Sequence, residues 1–506
     1  MFGDATTLIV KDLTVENITV SGSTHIGTLV NTLKGSSSFT NVSVTNASAT
    51  TTSGAAGGMV GYIIRTTEKD RNETLNVSFT GCKLNSVSVS GSASEGKFVG
   101  LLSGYDSNES LSFDAECDAT EVSISDYTSV YTKANNSAWV NGDVTNKYDG
   151  WLGHETYRRA KVTFGGVCMA PRWDGTTATA KADLLLYNGE SNKYEVHSPF
   201  DLAGVRNATA SPAALYLMEN VDMYGQGADG KFFVHEKFTQ SKNASTDDNK
   251  FTAFSSIALL EGNNNGIYNL ALNANGSDRY AFILSGNNGD VHQNISFYDC
   301  CTVVPHVVKS NEDNSYGATV VLSVSGATYK MDNIHAYRCK VFALQKTGII
   351  AGRLVSATMA TINNCSVNDC YIENYNCKEH QEDFGYGVKF YSPGEVGGLI
   401  GFVENFATIS NCHVKGTTIY AFGQNDQKVY YVVTIPGRHV GQFIGDIRTS
   451  DDEKDKIVLT NCTVDSNTKC TNRWDKHSKC NMIGRVYYVS LLDSKGTVTL
   501  DGKSIL

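Results

Sequence analysis

A short glycine box recurs along the chain, and any fold must find room for all its copies. It reads GGMVG ending at Gly61, VGLLSG at Gly104, GIIAG at Gly352, GGLIG at Gly401, GQFIG at Gly445 and NMIG at Gly484. Adjacent boxes lie roughly 40 to 50 residues apart, the spacing of solenoids and repeat arrays. Pro393-Gly394 and Pro436-Gly437 precede two of the boxes, which puts two of the six prolines at equivalent points. Each box is followed by a polar stretch and a short alternating segment: ATINNCSV, ATISNCHV and VLTNCTV after Gly352, Gly401 and Gly445. Period-two alternation sends Ile409 to one face and its polar neighbours to the other, as a half-buried strand requires. A unit of this length is too short for a sandwich. It predicts an all-β chain, a right-handed parallel β-helix with two rungs per unit.

Composition agrees. The 47 Gly, the wealth of Ser, Thr, Asn and Val and the 19% charged residues suit short strands joined by tight turns. A hydrophobic share of 41% excludes wholesale disorder. The formal net charge of −10 argues against nucleic acid, whose binding needs a concentrated basic surface. No apolar run approaches the roughly 18 residues of a membrane span. Met1–Val10 lacks the features of a signal peptide.

In a β-helix, Gly58, Gly61, Gly352, Gly397, Gly398, Gly401 and Gly445 are expected at corners, with positive φ where needed. Leu399 and Ile400 then fill the core. Asn411 is expected at a second turn, bonding backbone or a stacked asparagine, with Cys412 as a small buried apolar residue. The recurrence of Asn-Cys at Cys365, Cys412 and Cys462 favours architecture over catalysis, because catalysis needs one nucleophile and a stack needs many.

Gly398-Leu399-Ile400-Gly401 resembles the GLUG motif of bacterial surface proteins, and Gly58-Met59-Val60-Gly61 is a near match. Upstream, WDGTTATA from Trp173, YEVHSPFDLAGV from Tyr194, LYLMENVDMYG from Leu215 and the stretch ending at Leu272 resemble the opening module of such proteins. There a short Asp-Leu-Ala helix and a Val-Asp-Met strand precede the first coils. The resemblance implies an exported, adhesin-like β-helix with no catalytic residues to carry over. It also implies a division: solenoid coils over 1–125, an aromatic-rich insertion or irregular junction over 126–172, and a second β-helix over 173–506. The uncapped first strand, near Leu8–Val20, suggests a piece cut from a longer protein.

The enzyme reading, a β-helical polysaccharide lyase or glycosidase, needs clustered carboxylates with a basic partner. GHETYRRAK supplies His154, Glu155, Arg159 and Lys161, but too compressed for that chemistry, and reads as a solvated loop. Asp247-Asp248 and Asp451-Asp452 lack calcium-loop spacing. Cys370, Cys377 and His380, and Cys470, His477 and Cys480, each offer three irregularly spaced ligands where zinc takes four. A disulfide from Cys470 to Cys480 across a loop is simpler in an exported chain. No metal or cofactor is expected. Thirteen Asn-X-Ser/Thr sequons weakly support export.

Three of the four tryptophans, Trp139, Trp151 and Trp173, crowd into 126–175. They pack a small cap or an inter-solenoid junction, or else Trp139, Trp151 and Tyr157 form an exposed platform beside Asn141 and Asp149 for stacking on sugars. The sequence therefore leads to a non-catalytic extracellular or cell-surface stalk or adhesin module that presents loops to a glycan or host ligand. An enzyme on the same fold, or a filament or phage-fibre subunit associating end to end, stands behind it.

Overall fold

The computed structural model describes residues 2–64, 75–103, 110–124, 148, 150–155, 159–169, 173, 185–223, 251–273, 279–304, 316–326, 328–343, 346–374, 382–383, 389–390, 395–421, 427–429, 433–435, 440–449, 456–472, 480–488 and 497–504. They are almost entirely short strands, most of them in parallel sheets, with an α-helix at Pro199–Ala208. The chain packs as two units, Met1–Leu184 with His197–Gly204, and Leu185–Val196 with Val205–Leu506.

Each unit is a parallel β-helix whose coils stack in register. In the first, Val30 pairs with Val60, Val60 with Val99 and Val99 with Leu152. In the second, Ala351 pairs with Ile400, Ile400 with Ile444 and Ile444 with Ile483. Successive boxes are thus hydrogen-bonded neighbours, so each repeat closes one coil and not the two rungs expected. The coil is long because it holds four strands that pair with the next coil, Val396–Gly397, Ile400–Ser410, His413–Lys415 and Thr418–Ala421, and then an antiparallel pair, Gln427–Val429 with Val433–Ile435, before the chain reaches the next box. The segment 126–172, expected as a junction, also supplies coil strands: Leu152–Glu155 pairs with Val99–Ser103 and Lys161–Phe164 with Ser110–Phe113.

Inward-facing columns fill the coils. Phe39, Phe79, Phe113 and Phe164 stack with ring centroids 4.8, 5.0 and 5.4 Å apart, close to the spacing of hydrogen-bonded strands. In the second unit Ile362, Ile409 and Leu459 are fully buried in one register.

The corners divide two tasks between two residue types. The glycines expected at corners, Gly58, Gly61, Gly352, Gly397, Gly398, Gly401 and Gly445, do not adopt positive φ. They permit backbone to lie on backbone: a Cβ at Gly397 would sit 2.1 Å from the Ile400 carbonyl oxygen, and one at Gly401 2.4 Å from the Thr347 nitrogen. Positive φ falls instead to asparagine and a few other polar residues, at Asn294, Asn333, Asn364, Asn411 and Asn461 in the second unit. Asparagine tolerates this region better than most side chains. Its amide also ties coil to coil. Asn411 Nδ2 donates to Asn363 Oδ1 at 2.9 Å, and Asn461 Nδ2 to Asn411 Oδ1 at 2.9 Å.

Replacing Gly401 by Val should cost about 3 kcal/mol or more, since backbone and not a flexible side chain must give way. Asn411→Gly, which keeps the corner and loses only ladder bonds, should cost about 1 kcal/mol. Urea midpoints check both, and an unchanged midpoint for the valine variant would rule out the backbone contact. The core also carries a pH dependence. His292 is fully buried, with Nε2 on the Ile257 carbonyl oxygen at 2.8 Å and Nδ1 accepting from the Tyr329 hydroxyl at 2.7 Å. Burial lowers its pKa from 6.5 to about 4. The unfolded chain therefore takes up a proton that the folded chain refuses, and stability falls as pH drops below 6.5. The His292 share is about 3 kcal/mol between pH 7 and pH 4. In a His292→Gln variant, urea unfolding should show a shallower slope over that window.

Candidate functional site

The expected aromatic platform does not form around Trp151. Trp139, Asn141, Asp149 and Tyr157 lie outside the described residues. Trp151 is 0% exposed and packs on Phe98 at 4.8 Å, Tyr148 at 4.9 Å and Phe113 at 5.4 Å between centroids. The reason lies in its neighbours: Gly150-Trp151-Leu152-Gly153 is itself a glycine box. The Phe98 and Val99 amides both donate to the Trp151 carbonyl oxygen, which places Trp151 one coil on from Phe98. Trp173 is buried as well. The box at Val99–Gly104 likewise registers on Gly100, which stacks between Gly61 and Gly153.

Arg159, expected in a solvated loop, is buried against Asp201. Its Nε and Nη2 reach the carboxylate at 3.0 to 3.1 Å, with side chains 3% and 1% exposed. Asp201 lies in the first turn of the helix, where negative charge is favoured. The expected Asp-Leu-Ala helix and Val-Asp strand are present, at Pro199–Ala208 and Val221–Asp222.

The most developed outward surface is on the second unit, along strands that share one register. Tyr268, Tyr298 and Tyr337 occupy successive coils, nearly coplanar in orientation, with centroids 4.5 and 4.8 Å apart. All three are half-buried. Beside them run Ser296, His335, Ser366, His413 and Thr463. A further column holds Glu261, Gln293, Asp332, Asn363, Ser410 and Thr460. Rungs are cross-linked through these side chains: Gln293 Nε2 donates to Glu261 at 2.7 Å, Asn363 Nδ2 to Asp332 at 3.0 Å, and His335 Nδ1 meets Ser366 Oγ at 2.8 Å. Burial, reinforced by Tyr298, pushes the Tyr268 hydroxyl up to about 12, and burial also raises Tyr337. Both phenols remain neutral donors. Burial lowers His335, whose Nε2 reaches Asn333 Oδ1 at 2.9 Å and so carries the proton. The sequence signal for this strip was a tyrosine directly before a corner residue, in IYN, FYDC and AYRC.

The cysteines are architectural. Cys365, Cys412 and Cys462 are buried and free, each following a positive-φ asparagine. The Cys365 amide lies 3.4 Å from Cys412 Sγ. A second stack begins at Cys300 and Cys339, and the Cys339 amide lies 3.3 Å from Cys370 Sγ. At equivalent places in other coils stand Ile334, Leu270 and Thr417, so the position asks for a buried group and does not require a thiol. Cys470 and Cys480 form the expected disulfide. Among the described residues no group of three His, Cys, Asp or Glu is placed to hold a metal ion. Cys377, His380, His477 and the paired aspartates lie outside the described residues.

Stacked coils, glycine boxes and asparagine corners define a parallel β-solenoid repeat protein. Residues 392–420 match the family model described as the GLUG motif, a span that covers one coil from its box through both corners. No curated protein and no solved structure matches the chain. Among the described residues no helix is long and apolar enough to cross a membrane.

Burial pushes the Cys301 and Cys462 thiols up to about 12 and holds Cys300, Cys365 and Cys370 well above the usual thiol range. All nine free cysteines among the described residues are buried, so they should resist a thiol reagent at pH 8 in the native state and react within minutes in denaturant. Rapid native labelling of Cys365, Cys412 or Cys462 would remove the stacked-corner assignment.

Proposed function

We propose that the protein is a non-catalytic module of an extracellular or cell-surface protein, and that the outward face of its second unit binds a glycan. The GLUG motif supports a surface-associated repeat protein, and the tyrosine strip carries the ligand class. Three tyrosines at strand spacing, flanked by neutral histidine, hydroxyl, amide and carboxylate columns, offer donors and acceptors at regular intervals along the stacking axis. A linear saccharide laid on that axis meets a tyrosine and hydrogen-bonding side chains on each of three successive coils. Aromatic edges meet its C–H faces, and the polar columns meet its hydroxyls. Each ring contributes only about 1 kcal/mol, so binding is weak at one site and becomes useful through repetition and multivalent display.

The test is a glycan array probed with multivalent protein. Binding is expected for wild type and should be lost in a Tyr298→Ala, Tyr337→Ala double variant whose melting transition remains cooperative. Absence of binding to every glycan would refute the reading. Release of new reducing ends from a bound polysaccharide would transfer the case to a β-helical hydrolase or lyase.

A further inference from the structure

The chain carries a formal net charge of −10, yet three cations gather at one glycine-box corner of the second unit. Arg279 and Tyr316 are paired on adjacent strands, and Thr347 bridges Gly317 on one side and Val396 on the other. Lys346 and Glu395 therefore continue the column begun by Arg279 and Tyr316. The box Gly348–Gly352 then turns the chain so that Arg353 faces this column from the next strand. The same apposition across a box brings His25 to 4.3 Å from Tyr62 in the first unit, so it belongs to the corner and not to these residues alone.

The result is a tyrosine ringed by positive charge. Arg279, Lys346 and Arg353 lie 5.1, 4.8 and 5.5 Å from the Tyr316 ring centroid. Tyr316 is 3% exposed, and its hydroxyl oxygen accepts from both Lys346 Nζ and Arg353 Nη1 at 3.4 Å. Glu395 answers Lys346 at 3.3 Å. Burial opposes the charge on Lys346, but Glu395 and then Tyr316 outweigh it and hold the amine above its ordinary value. Arg353 Nε is buried with no hydrogen-bond partner. A guanidinium N–H removed from water and left unanswered is costly, and the one long bond from Nη1 to a phenol does not satisfy the planar fork.

We propose that this corner is a binding site for one oxyanion, a carboxylate or sulfate carried by an acidic polysaccharide. Arg353 supplies a half-buried fork, Lys346 a second charge, and the exposed Arg279 receives the group at the rim. The box glycines make the site by letting the two strands approach. The inference shares with the glycan reading only the assumption that the ligand is a saccharide, and it uses none of the tyrosine strip.

Retention on immobilised polygalacturonate, dextran sulfate and neutral dextran, at one fixed ionic strength, tests it. Wild type should be held more strongly by at least one acidic polymer than by neutral dextran, and the polymer preferred tells carboxylate from sulfate. Arg353→Gln and Arg279→Gln should each weaken that retention roughly tenfold or more. Lys11→Gln, which removes an exposed cation of the first unit, should leave it unchanged. If Arg353→Gln does not fold, Arg279→Gln at the rim carries the comparison. Equal retention on neutral dextran, or retention unaffected by the arginine variants, would overturn the proposal. So would a melting temperature raised by free sulfate with no polymer retained, which would leave a site for a free ion only. Loss of neutral-glycan binding with acidic retention intact would count against the tyrosine strip and leave this site standing.

Discussion

The contact on which the rest of the molecule depends is one between two backbones. At each glycine box the chain reverses so tightly that a single methyl group in place of a hydrogen would fall within bonding distance of a neighbouring carbonyl, 2.1 Å at Gly397 and 2.4 Å from the Gly401 oxygen at Gly445. Only glycine can stand there. Because Gly352, Gly401 and Gly445 stack along one column, each box also fixes the position of the next. The residue in the middle of the box, Leu29, Met59, Phe98 or Trp151 in the first unit, can vary widely in size, since it points into a core that continues above and below.

The second constraint is conformational. A coil of four strands must bend at points where the chain has no room for a loop, and single residues at positive φ make those bends. An asparagine there has a side chain short enough to turn back and bond its counterpart in the adjacent coil, so the bend and the inter-coil tie come from one residue. The residue that follows points inward in a confined place. Cysteine, isoleucine, leucine and threonine all serve, which accounts for the buried thiols at these places.

Much of this was legible in the sequence. The boxes, the Asn-Cys corners, the alternating strands and the short helix at Asp201 all follow from local rules. What was not legible depended on register. Box spacing alone does not give the number of strands per coil, and the same spacing fits one long coil or two short rungs. Trp151 stands in a crowd of aromatics, but Gly150 and Gly153 mark it as a box residue. The tyrosine strip is invisible to a search for clustered residues, because Tyr268, Tyr298 and Tyr337 are far apart in sequence and meet only through strand pairing. Arg159 escaped for the same reason, its partner Asp201 being carried to it by the fold.

The placement of variable chain within the coil has a further consequence. From Ala421 to Val440, and from Asn374 to Glu395, the sequence runs from the last strand of one coil to the box of the next, while the strands on either side remain in register. The lengths of these stretches differ, yet pairing does not shift, so the coil tolerates added residues at that point without passing the change to its neighbours. Closing a longer loop adds only a small, logarithmic entropy cost. Such a chain can gain or lose residues there while the paired strands keep the same register and spacing.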